Sequence, residues 1–138
     1  MGFADNWQGK IVSEISNLDC VVFNPRRAEW DSTWVQSIDN LVFRKQVEWE
    51  LRALEIADFI AMYFDPMTKA PVSLLEFGLF LRSRKLIVLC PEGFWRKGNV
   101  DIVCKRYRVK TVKNFEEFTR EIKRKIVTVQ RARIQDSE

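Results

Sequence analysis

Histidine is absent from the 138 residues. Its absence removes Ser-His-Asp and Cys-His catalysis together, along with the commonest transition-metal ligand. Glycine is scarce, and its five copies form neither G-x-G-x-x-G nor G-x-x-x-x-G-K-[ST], so the two common phosphate-cradling loops are missing. The three cysteines, Cys20, Cys90 and Cys104, are odd in number and lack C-x-x-C spacing. They read as reduced buried thiols, not as a disulfide framework or a zinc site. No apolar run approaches the roughly 20 residues that cross a bilayer, and the N-terminus lacks the basic-then-apolar order of a signal peptide. A cytosolic protein with no membrane partner is expected, and neither a metal nor a cofactor is called for. Any chemistry has to come from carboxylates, Lys, Cys, Tyr or an external cofactor.

What the chain does have is 46% hydrophobic and 30% charged residues, the composition of one domain able to bury a core. We place that domain over residues 1–128, followed by a basic flexible tail at 129–138. The net charge is +4, and much of the excess falls in Arg120 to Arg133, where Lys and Arg stud a helix and the tail. Such a run reads as a solvated face, so nucleic acid is not expected as a partner.

The chain is organised around Asp58 to Gly78. Phe59 to Phe64 is a nearly unbroken apolar run, which suits a strand covered on both faces in a parallel sheet. Asp65-Pro66 ends it, Met67 to Ala70 forms a loop, and Pro71 suits the first position of a helix predicted to run to Arg82. That helix carries one carboxylate, Glu76. Ligands of open parallel sheets collect beyond the carboxyl ends of the strands, where Asp65 and Glu76 both fall. Asp58 opens the strand at the opposite edge and is excluded from the site.

Before this unit, Trp7, Ile11, Ile15 and Leu18 are spaced as a helix capped by Asp5 or Asn6, and Asp19 to Phe23 reads as a short buried strand. The strand ends at Asn24-Pro25-Arg26-Arg27. The two arginines either hold a phosphate or carboxylate or pair with Glu29 and Asp31 at the surface. Trp30 and Trp34 lie in a long loop from Ala28 to Asn40; they either stack on a planar base or close the core. Phe43, Val47, Leu51 and Leu54 mark an amphipathic helix. After Glu76, Lys85 to Cys90 is a strand and Phe94 to Asn99 a second aromatic and basic loop. Val100 to Tyr107 is a short helix, Arg108 to Val112 a last strand, and Phe115 to Ile126 a closing helix capped by Asn114. The Pro71 helix is apolar nearly all round, so the face it cannot bury on a sheet is expected to meet another copy in a homo-oligomer.

A carboxylate near a helix N-terminus is held as the anion by the helix dipole, and is then available as a nucleophile at neutral pH. Retaining glycosyl transfer is a reaction such a group can perform without histidine or metal, with Asp65 as the second carboxylate. Ser73-Leu74-Leu75-Glu76 equally matches the capping box S-x-x-E, in which the glutamate only closes its own helix.

The segments NPRRAEWD, QVEWELRALEIADFIAMYFDP, PVSLLEFGLF and CPEGFWRKGNVDIVCKRY, in order across residues 4 to 112, resemble the nucleoside 2-deoxyribosyltransferase-like family. The resemblance implies a flavodoxin-like or Rossmann-like parallel sheet flanked by helices, and Glu76 of the L-E-x-G motif as nucleophile. It implies Asn99 as a residue reaching the active site, often that of a neighbouring subunit. It also implies transfer or hydrolysis of the N-glycosidic bond of nucleosides or their monophosphates. The chain departs from the family pattern twice. Ala70 stands where relatives carry Ser or Asp, leaving that contact to Asp65 or Ser73, and the family's first strand is apparently lacking ahead of Met1-Gly2-Phe3. Such a chain also fits a second role, a non-catalytic nucleotide-binding or oligomerisation module of the same descent.

Overall fold

The computed structural model describes residues 6–24 and 35–137. It is an α/β fold with one parallel sheet of three strands in the order β1-β2-β3, where β1 is Ile60–Tyr63, β2 is Leu86–Leu89 and β3 is Lys110–Val112. The registers Ile60 to Leu86 and Val88 to Thr111 fix the pairing. Five helices surround it: α1 (Trp7–Glu14), α2 (Leu41–Ile56), α3 (Pro71–Phe80), α4 (Lys97–Tyr107) and α5 (Phe115–Asp136).

The alternation of the strands decides which helices lie where. Ile60 and Met62 of β1 with Phe64 just beyond it, and Leu86 and Val88 of β2 with Cys90 just beyond it, lie on one face. There they form a core with Phe77 of α3 and Val100 and Cys104 of α4, closed at one end by Leu54 of α2. Ile87 and Leu89 point the other way, onto Ile11 of α1, Ile15, and Phe118, Ile122 and Ile126 of α5. All four residues of β2 are buried, as a central parallel strand requires. Asn6, Asn40 and Asn114 cap α1, α2 and α5 by accepting the N–H groups of Gly9, Phe43 and Glu117.

Several expectations are corrected. Residues 19–23 form no strand, and Val21 is 83% exposed. A strand is defined by its ladder, and no described residue pairs with this segment, so its apolar side chains have no pleated surface to join. The Pro71 helix ends at Phe80, not Arg82, and α4 begins at Lys97, three residues earlier than its apolar periodicity suggests. The closing helix continues to Asp136 through the stretch read as a tail. Two contacts hold that extension down: Gln130 Nε2 donates to the Asp19 carbonyl, and Arg133 forms an ion pair of 2.6 Å with Asp58. The latter also accounts for Asp58, at the edge of the sheet away from the strand ends. No helix among the described residues is long and apolar enough to cross a membrane.

Candidate functional site

The carboxyl end of β1 leads through a pinned loop into α3. Phe64 is fully buried, its ring 5.8 Å from Phe77 and 5.1 Å from Phe94. Asp65 follows, almost buried; its Oδ1 accepts the Met67 N–H at 2.9 Å and its carbonyl accepts from Thr68. The far end of the loop is held by Trp95, whose indole N–H donates to the Lys69 carbonyl at 2.9 Å. The cations of Lys69 and Arg96 lie 5.4 and 4.4 Å from the same ring. Ala70 then takes a left-handed conformation at φ 45° and ψ 52°, and Pro71 opens the helix. An alanine in this region is strained, so the loop enters α3 along a path that its fixed ends impose.

This start makes Ser73 the third residue of α3, already helical and half-buried. A capping box needs Ser73 at the N-cap, a position that Ala70 fills with no side-chain bond. The capping reading of Glu76 therefore fails. Glu76 lies in the second turn, half-buried, with no hydrogen bond or ion pair to any described residue.

Its ionisation is set from across the helix interface. Burial pushes the Glu76 carboxyl up from the ordinary 4.5 to about 7, and the negative charge of Glu50 adds to the rise. Glu50, on α2, is itself raised by burial, an effect partly offset by Gln46, whose Nε2 donates to Glu50 Oε1 at 3.0 Å. This corrects the expectation that the helix dipole keeps Glu76 low. The dipole acts within the first turn, and by the second turn desolvation and a like charge outweigh it. Burial thus raises the proton affinity of both carboxyls, and the charge of Glu50 acts on Glu76 from α2.

Glu50 is the residue that sequence reasoning missed. Gln46 is buried although polar, one turn before Glu50, and the pattern Q-x-x-x-E on an amphipathic helix was the available signal. The other predicted residues fall as follows. Asn24 is half-buried at the end of the 19–24 segment, next to Phe23, whose ring meets Trp49 of α2 edge-on at 6.4 Å. Asn99 is exposed in the first turn of α4, not in a loop, and is not among the groups acting on Glu76. Arg26, Arg27, Trp30 and Trp34 lie outside the described residues. No group of three or more Cys, Asp or Glu among the described residues is arranged to hold a metal. A groove of about 560 Å³ lies away from this pair, between α4 and β3.

No curated protein sequence matches the chain. Residues 1–94, which carry α1, the Gln46–Glu50 turn, β1, the pinned loop, α3 and β2, match the family described as nucleoside 2-deoxyribosyltransferase like. With the parallel sheet and the L-E-x-G helix in place, that match over more than half its length makes the chain a member of the nucleoside 2-deoxyribosyltransferase-like family.

Proposed function

We propose that the protein breaks the N-glycosidic bond of (deoxy)nucleosides or their monophosphates, with Glu76 as nucleophile and Glu50 as proton donor. The observation that carries this is the pair itself: two half-buried carboxyls on facing helices, each displaced upward in proton affinity. A Glu76 oxygen attacks the anomeric carbon, the C–N bond electrons leave with the base, and the base takes the proton from Glu50. The sugar is then held as an ester of Glu76. Water or a second base opens that ester, and Glu50 receives the proton released by the incoming group.

Asp65 has one oxygen committed to its own turn, which suits contact with a sugar hydroxyl better than proton transfer. Ser73, Asn24 and Asn99 are assigned to the sugar, Arg26 and Arg27 to a phosphate when the substrate carries one, and Trp30 and Trp34 to the base. The test is chromatography of free base from a panel of deoxynucleosides and deoxynucleotides. Glu76→Ala abolishes release, and mass spectrometry of quenched native protein finds the glycosyl adduct on the peptide containing Glu76. Calorimetric binding without turnover of any substrate by the native chain would instead assign the non-catalytic role.

We also infer a homo-oligomer formed through α3. Val72, Leu75 and Leu79 repeat along one stripe of that helix, and Leu75 is 65% exposed. A continuous exposed apolar stripe along a helix is a usual mark of an interface.

A further inference from the structure

We propose that the groove between α4 and β3, with the two turns that open onto it, binds single-stranded nucleic acid. This surface is separate from Glu76. The turn before β2 and the last turn of α4 with its cap, before β3, bring together Arg82 and Arg84 from the first and Lys105, Arg106 and Arg108 from the second, at the amino ends of neighbouring strands. The two turns touch: Arg82 Nη2 donates to the Tyr107 hydroxyl at 3.3 Å, and its guanidinium lies 5.1 Å from the centre of that ring. Lys105 and Arg108 then line the groove, which runs along α4 to Lys113 and encloses about 560 Å³.

The charge is one-sided. Of the two acids in the lining, Asp101 is paired with Lys97 at 3.0 Å, and Glu92 stands at the far end. None of Arg82, Arg84, Lys105, Arg106, Arg108 and Lys113 forms an ion pair with a described carboxylate. Six cations outside any ion pair with a described carboxylate attract a row of phosphates. The backbone strengthens the case. Arg84, in the turn after α3, and Arg108, the C-cap of α4, both take left-handed conformations, at φ 64° and 56°, which glycine adopts without strain. At both turns the sequence places a cation where the chain would be more relaxed without one.

A narrow basic groove beside an exposed tyrosine fits one strand, whose bases can stack while its phosphates follow the cations. A duplex or a flat anionic membrane would use neither the groove nor the ring. The expectation of no nucleic-acid partner weighed only Arg120 to Arg133; the fold gathers a different set of cations from two places about 25 residues apart in sequence.

The test is fluorescence anisotropy of a labelled oligothymidylate with the full chain over a range of salt. Binding at low salt is expected, with log affinity falling linearly in log salt by about 0.7 per phosphate contacted. The double variant Arg84→Gly, Arg108→Gly relieves both left-handed turns, so it melts no lower than the native chain. It weakens binding at least about tenfold and reduces the salt slope by about 1.4. Tyr107→Ser weakens binding and leaves the slope unchanged, because stacking releases no counterions. No binding at low salt, an unchanged slope in the double variant, equal affinity for a duplex, or binding to phosphatidylserine vesicles without binding to the oligonucleotide would each overturn the proposal.

Discussion

Replacing Glu76 by glutamine changes one oxygen to an NH₂ group and removes the titration without altering the shape of the side chain. In the folded protein the carboxyl titrates at about 7, against 4.5 in the ordinary state. A carboxyl raised in this way is protonated in the folded chain where it would be ionised in the unfolded one. The native chain is therefore favoured at low pH, and the advantage is lost as pH rises from 4.5 through about 7. Each pH unit of the rise corresponds to about 1.4 kcal/mol, or about 3 kcal/mol in all. Glu76 is only half-buried, and water screens such a group, so we halve the figure to about 1.5 kcal/mol. For a domain of this size that is a melting difference of about 5 °C. Thermal unfolding followed by circular dichroism should therefore show Glu76→Gln melting with the parent at pH 5 and about 5 °C above it at pH 8.5. Equal melting at pH 8.5, or a variant less stable there, would mean that Glu76 is solvated and not crowded by Glu50. The catalytic pairing would then have lost its physical basis.

The pair also predicts how turnover depends on pH. If the active form carries one proton, with Glu76 ionised and Glu50 protonated, base release falls on the alkaline side as Glu50, whose proton affinity burial raises, loses that proton. Glu50→Gln lowers single-turnover release by about 10²–10⁴-fold and removes that alkaline limb, as a pH series on the variant would show. Phe64→Ala empties the site where the β1, α3 and Phe94 rings meet. It should cost about 3–5 kcal/mol in urea unfolding. Leu75→Lys with Leu79→Lys charges the exposed stripe of α3 and should convert the assembly to monomers in sedimentation velocity, without lowering the melting temperature of the monomer.

Much of the fold was legible because its signals are local. Phe59 to Phe64 and Lys85 to Cys90 are short apolar runs bounded by Asp-Pro and Pro-Glu-Gly, and each became a strand of the parallel sheet within a residue or two. Asn114 capped the closing helix where it was expected. The failures share a physical cause, dependence on partners distant in sequence. Cys20 to Phe23 has the composition of a strand, but β-structure is made by the neighbour and none of the described residues supplies one. The last two turns of α5 look polar and frayed in isolation, and they are ordered by Asp19 and Asp58, more than 70 residues away.

The same distinction separates what was seen at Glu76 from what was not. Its place on a helix following a strand is a matter of local pattern, so the residue could be singled out. Its protonation is a matter of how far the fold buries it, with the charge that another helix brings alongside adding to the effect. Glu50 lies 26 residues earlier in an amphipathic helix where every other acid is exposed, and only the buried Gln46 one turn before it sets it apart. The helix dipole, which sequence reasoning could invoke, acts over the first turn and favours the anion. Burial, which it could not foresee, acts on the second turn with the charge of Glu50 behind it, and favours the proton. Near neutrality the second effect prevails, so on the proposed mechanism Glu76 is a group that gives up a proton before it attacks.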